Sequence, residues 1–300
     1  MKLTSMLLAV VTAVGLTSTA LAQEGTLKKI KDSGSITIGH RDASIPFSYY
    51  DDKQKPIGYS IDLCLKIVDA IKNDLKMKNI DVKYQLVTSA NRIPLMANGT
   101  IDLECGSTTN NLERQKQVSY TMTSFVTGTR WVAKKSAHIN TLADLKGKTI
   151  VSTAGTSNIK LITKINAAQN LGMNIISANG HAEAFQMVET GRAVAFVMDD
   201  ILLYSLVSRS RSPGDYAISP SALSVEPYGI MLRKGDTAFK KVVDAAMIRL
   251  YKSPEINAIY EKWFLKPIPP KGINLNVPMS EQLKKVIATP TDSGDPSVYE

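Results

Sequence analysis

The sequence lacks most of what marks an enzyme or a membrane protein. It has no G-x-S-x-G turn, no phosphate-binding loop and no G-x-G-x-x-G run, and its three histidines (His40, His138, His181) have no metal-ligand spacing. Asp199 or His181 could serve as a catalytic acid or base, but no spacing asks for one. No metal and no cofactor are expected. No stretch beyond the first residues is long and apolar enough to cross a bilayer. Basic residues never run beyond two in succession, so the net charge of +9 argues for a diffusely positive, solvated surface rather than a nucleic-acid stripe. Cysteine is scarce, with only Cys64 and Cys105. In an oxidising compartment these two can pair. Cys64 also lies on the apolar stripe Ile61, Cys64, Leu65, Val68, Ile71, Leu75, where a buried thiol is equally natural. The residues leave that choice even.

What is present begins with an export signal. Lys2, the apolar run 7–16 and the small-x-small triplet Ala20-Leu21-Ala22 ahead of Gln23 form a secretory signal peptide, too short for a membrane span. No cysteine sits at the cleavage point, so no lipid anchor is expected there. The mature chain, 23–300, is expected to be soluble and exported. Its length suits one large or two smaller domains, and a hydrophobic content of 44% rules out a disordered chain.

Strand-length apolar runs alternate with helical patterns. Strands are expected at 35–39, 82–87, 101–105, 149–153, 174–177 and 194–198, with helices at 61–75, 93–98, 157–170, 181–190, 238–251 and 254–264 and a proline-broken tail from Pro267. This rhythm predicts an α/β architecture with largely parallel sheets. The extended segments SYTMTSFVTGTRWVAKK (119–135) and SVEPYGIMLRK (224–234) separate two such sets. If the chain crosses between lobes at both, the first lobe is discontinuous (23–127 and 227–300) and the second (128–226) is an insertion. Two strand-like crossings make a hinge, and hinged lobes close around ligands. In open α/β sheets, ligands sit beyond the carboxyl ends of the strands.

The polar clusters lie at those ends. In ECGSTTNNLERQK (104–116), Gly106, Ser107, Thr108 and Thr109 follow a strand and precede an expected helix, so hydroxyls and backbone N–H groups can face an anion. Taken alone, a helix cap by Asn110 or Asn111 explains the turn as well. Arg114 falls on the first turn of that helix, where a cation opposes the macrodipole; a bound carboxylate would supply its reason. AGTSN (154–158) repeats the pattern, with Gly155 turning and Thr156 and Ser157 opening a helix. Two such turns point to one anion clamped between lobes. Asp199 and Asp200 end an apolar strand; Asp200 suits a helix cap, leaving Asp199 to meet an ammonium group. His181 opens a helix, where a solvated histidine is the ordinary reading. Arg41 follows the first strand, and Ser89 and Arg92 sit in TSANRIP. Arginine suits carboxylates because its planar fork gives two parallel bonds.

Three blocks carry a resemblance: GHRDASIPFSYYDDKQKPIGYSIDL, TSANRIPLMANGTIDLECGSTTNNLERQKQVSYT and EKWFLKPIPPKGINLN. Over essentially the whole mature chain they resemble the periplasmic solute-binding proteins of polar amino-acid ABC transporters, in particular the glutamate/aspartate-binding members. The resemblance implies an α/β two-lobe, Venus-flytrap fold with a two-strand hinge. It implies that Arg114, Thr109 and Thr156 or Ser157 hold an α-carboxylate, and that Asp199 pairs with the α-ammonium helped by Ser107. It further implies that Arg41, Ser89, Arg92 and His181 surround a side-chain carboxylate. The chain departs from the family at GTSN, where relatives read GTTS, which leaves Thr156 and Ser157 undecided. The family pattern gives Cys64 no role, so a Cys64–Cys105 bridge gains no support from it.

The expected function is therefore capture of L-glutamate or L-aspartate for a membrane permease by a monomeric periplasmic protein. A dehydratase-like enzyme on the same scaffold is the alternative. A chemoreceptor partner is a third reading, weaker because no signalling module is attached.

Overall fold

The computed structural model describes residues 25–300, so the expected export signal lies outside the described residues. Two mixed sheets organise the chain. The first runs Asp81–Leu86, Ser35–His40, Leu103–Glu104, Met231–Arg233, Val118–Tyr120; the second runs Asn174–Ala178, Thr149–Thr153, Ala195–Asp199, Phe125–Lys134, Tyr216–Ile218. The first three strands of each are parallel. The expectation of largely parallel sheets is corrected at the remaining strands, which pair antiparallel because the connecting segments themselves join the ladders. Central strands read as continuous apolar runs because both faces are covered: Ala195–Asp199 is buried throughout. The edge strand Asp81–Leu86 alternates exposed and half-buried positions instead.

The two sheets are joined by a two-stranded ribbon. Phe125–Lys134 pairs antiparallel with Ser224–Tyr228, from Tyr228 opposite Phe125 to Ser224 opposite Thr129. An aromatic cluster anchors its base, with Phe125 stacked on Phe264 at 5.1 Å, Phe264 on Tyr260 at 4.4 Å, and Tyr228 edge-on to Phe47 at 5.2 Å. Such pairs contribute about 1 kcal/mol each beyond their area burial. The helix Glu255–Phe264 thus fixes the ribbon's exit from the first sheet.

Helix Tyr59–Asp74 buries Ile61, Cys64, Ile67, Val68 and Ile71 on one face. It starts at Gly58, whose φ of 137° no other residue adopts readily and whose Cβ would lie 2.2 Å from the Phe47 carbonyl oxygen. Cys64 on this helix forms a disulfide with Cys105, just past the strand Leu103–Glu104. The bridge closes 41 residues and would stabilise the chain by roughly 4 kcal/mol on loop entropy. It answers the question that composition left even and the family pattern did not favour. It also ties the root of the 106–109 turn to a buried helix.

Unanticipated elements include the helix Thr26–Ser33, a small sheet of Ala43–Ser44, Ser48–Tyr50 and Pro56–Ile57, the strand Tyr216–Ile218 and the helix Glu281–Ala288. The last lies in the tail expected to be irregular. Ser280 caps it, accepting from the Leu283 N–H at 3.2 Å. Its Val286, with Tyr299, packs on Val126 and Val225 of the ribbon.

Candidate ligand-binding site

Six parallel strands end facing one another, and each delivers a polar side chain at or just beyond its last residue. Eight of the ten expected residues line one cavity of about 190 Å³: Ser89, Arg92, Ser107, Thr109, Thr156, Ser157, His181 and Asp199. Asn158, Met198 and Leu202 complete the lining. Arg41 and Arg114 are not in the wall. Arg41 sits behind it, 1% exposed, and Arg114 lies beside it at 7%.

The first-sheet side is cationic and under-satisfied. Arg92 opens the helix Arg92–Ala97 and donates from Nη1 to the Ser107 carbonyl at 3.3 Å and to the Thr108 hydroxyl. Among the described residues its Nε has no hydrogen-bond partner, nor do Arg41 Nε and Nη1, Ser89 Oγ and Ser107 Oγ, nor, on the second-sheet side, His181 Nε2. All are buried, and a buried donor without an acceptor costs about 1–3 kcal/mol, more when charged. Burial pulls Arg92 down to about 10; Glu104 opposes this, while Arg114 and Arg41 reinforce it. Burial likewise lowers Arg41 against the pull of Glu104.

Arg114 is placed differently from its sequence reading. The segment after 106–109 is a short 3-10 turn, Arg114–Lys116, with Asn111 Oδ1 accepting from the Arg114 N–H at 2.9 Å. There is no helix for the cation to oppose. The guanidinium instead donates to the Thr109 carbonyl at 2.8 Å and, across to the second-sheet side, to the Gly155 carbonyl at 3.1 Å.

The second-sheet side is anionic. The carboxylate of Asp199 accepts from Asn158 Nδ2 at 2.7 Å and from the Tyr228 hydroxyl. Burial raises its pKa, and the nearby Glu226 raises it further. Glu226 is buried on the ribbon and accepts from Ser157 Oγ at 2.8 Å and Ser224 Oγ at 2.6 Å. Asp200 is not the cap expected of it: Asp199 occupies the cap position, while Asp200 pairs with Arg130 at 3.1 Å. His181 is not solvated. It is 3% exposed, with Nδ1 2.9 Å from the Thr153 hydroxyl. Burial first, then Arg41 and Arg92, push its pKa well below the usual value, so the ring is neutral near pH 7.

The hydroxyl turn at 155–157 separates its two candidates. Thr156 caps the helix Ser157–Ala168, donating to the Thr153 carbonyl at 2.7 Å and accepting from the Ile159 N–H at 3.3 Å. Ser157 reaches over to Thr109 Oγ1 at 3.2 Å. Gly155 permits this approach: its φ is +76°, and a Cβ would lie 2.5 Å from Ala90 Cα.

Sequence reasoning missed Asn158, Glu104, Glu226 and Tyr228. A signal existed for Glu104, which with Asp102 is one of two acids in the otherwise apolar run IDLEC. Asn158 and Tyr228 become visible only through their bonds to Asp199. A larger groove of about 850 Å³ lies behind the ribbon beside Tyr204, Tyr260 and Gln282. None of its lining atoms is a buried polar group without a partner, so it is a poorer place for a small charged ligand. Among the described residues, no group of three or more His, Cys, Asp or Glu could hold a metal, and no helix is long and apolar enough to cross a membrane.

Known proteins resemble this chain. The chain is 56% identical to the L-glutamate/L-aspartate-binding protein of Pseudomonas aeruginosa, over 96% of each chain. It is 46% identical to the glutamate/aspartate import solute-binding protein of Escherichia coli, over 91% of this chain and 90% of that one. Among solved structures, an ancestral arginine-binding protein bound to arginine superposes with a TM-score of 0.70 at 28% identity, covering 77% of this chain and 98% of that one. Residues 36–266 match the model of the bacterial extracellular solute-binding proteins, family 3. With that match spanning most of its length, the chain belongs to this family, a two-lobe binding protein of the Venus-flytrap type.

Proposed function

We propose that the protein captures L-glutamate or L-aspartate between its lobes in the periplasm and delivers it, as a monomer, to the permease of an ABC importer. The observation that carries this reading is the opposition of charge across one cavity. Buried donors of Arg41, Arg92, Ser89 and Ser107 on one side, and His181 Nε2 beside them, lack partners among the described residues and meet a buried Asp199 whose hydrogen-bond donors there are neutral. An acidic amino acid, with two carboxylates and one ammonium, complements that set. The α-carboxylate goes to Arg114, Thr109 and Ser157, with Thr156 contributing its backbone, and the ammonium goes to Asp199 and Ser107. The side-chain carboxylate goes to Arg92, Ser89, His181 and, from behind, Arg41. Lobe boundaries at 127/128 and 226/227 follow the ribbon. The glutamate/aspartate relatives support the ligand class.

These relatives are binding proteins, and the site is read here as non-catalytic: the ligand leaves unchanged. Titration calorimetry with glutamate, aspartate and glutamine tests the reading. Tight binding of the first two with weak glutamine binding is expected. Equal affinity for all three, or chemical turnover of a bound ligand, would overturn it. A mass measured by light scattering checks the monomer.

A further inference from the structure

Glu104 does not line the cavity, yet it is the one carboxylate buried among the guanidiniums that surround it, with 0% exposure. The strand Leu103–Glu104 holds it in register between Gly39 and Met231. Its carboxylate accepts from the Thr108 hydroxyl, whose oxygen in turn accepts from Arg92 Nη1; Oε1 lies 3.9 Å from that same nitrogen. Gly106 leaves room for it: a Cβ there would lie 2.3 Å from Glu104 Oε1 and 3.0 Å from Arg41 Cγ. The protein therefore keeps a bare backbone position to seat an acid against two cations.

We propose that Glu104 is a specificity-determining residue, its buried carboxylate trimming the distal end of the site from two positive charges to one. Arg41 and Arg92 supply two charges there and the neutral His181 supplies none. With Glu104 counted, one positive charge is left for one ligand carboxylate. A neutral side chain leaves that charge unbalanced, and a doubly charged head overfills it. The inference rests on the acidic-ligand reading above. Were Glu104 only a structural partner of Arg92, its loss would weaken every ligand alike.

The test is calorimetry on wild type, Glu104→Gln and Glu104→Asp with three ligands: glutamate, glutamine and a phosphonate-tipped glutamate analogue above its second ionisation. In Glu104→Gln the glutamine-to-glutamate ratio of dissociation constants should widen by about tenfold or more, as one added charge at this depth requires. The phosphonate should gain on glutamate by a similar factor. Glu104→Asp keeps the charge and should keep both ratios within about threefold, even if absolute affinities fall. A common factor for all three ligands in Glu104→Gln overturns the proposal. If Glu104→Gln does not fold, ratios that move in Glu104→Asp overturn it and unmoved ratios support it. Wild type failing to bind glutamate would remove the acidic-ligand reading and this inference together; tight wild-type binding with unmoved ratios would remove only the role of Glu104.

Discussion

The two halves of the site differ in sign and in how well their buried groups are satisfied. On the first-sheet side three guanidiniums, Arg41, Arg92 and Arg114, are buried and share a single buried acid, Glu104. On the second-sheet side two acids, Asp199 and Glu226, are buried with only neutral donors around them. Each half alone carries uncompensated charge in a low-dielectric setting, which is costly until a counter-ion arrives. A zwitterion with an extra carboxylate satisfies both at once. On the proposed reading, closure and selectivity come from one arrangement: neither half is electrostatically complete, and the ligand completes the pair.

Removing the cation common to all amino acids breaks the comparison most severely. Arg114→Ala should cost on the order of 3 kcal/mol or more in binding free energy for every ligand, since it strands a buried α-carboxylate. It also deletes the bond to the Gly155 carbonyl. Calorimetry should register a loss of at least about a hundredfold for glutamate and glutamine alike.

Changing the anionic half separates function from stability. Asp199→Asn should reduce glutamate affinity by about tenfold or more, while stabilising the ligand-free protein by about 1 kcal/mol near pH 7. The sign follows from the raised pKa of Asp199, set first by burial and then by Glu226. In the folded state the carboxyl holds its proton to higher pH than when unfolded, so wild type loses stability as pH rises above the ordinary carboxylate range. Melting curves from pH 4 to 7 should show the variant gaining on wild type across that window. His181 acts oppositely: its lowered pKa costs stability as pH falls below about 6.5, in both proteins equally.

Smaller perturbations test the approach of the halves. Gly155→Ala puts a Cβ into the backbone of Ala90 and strains a positive φ. Glutamate affinity should fall about tenfold, and the ligand-induced decrease in radius by small-angle scattering should shrink. Lys160 and Glu113 also bridge the halves at 2.7 Å, but both are well exposed. Lys160→Ala should change affinity by less than about threefold, and less again at high salt.

Much of this was legible because ligand groups in α/β sheets follow strand ends, which apolar runs in the sequence mark. Hence the clustering of Ser89, Arg92, Ser107, Thr109, Ser157, His181 and Asp199 could be anticipated. What escaped depends on pairing between distant segments. Glu104 meets its neighbours through registers with residues 39 and 231, and Tyr228 meets Asp199 through the ribbon. Arg114 was expected on the first turn of a helix, whereas the chain there makes a single 3-10 turn. The Cys64–Cys105 bridge needed the helix docked on the sheet before it could be seen.

The central claim is that buried cations on one side read a second carboxylate, and Arg92 tests it most directly. Dissociation constants for glutamate and glutamine should be measured on wild type and Arg92→Met. The account predicts that glutamate loses about a hundredfold while glutamine loses only a few-fold, narrowing the ratio between them. Equal losses for both ligands would contradict it.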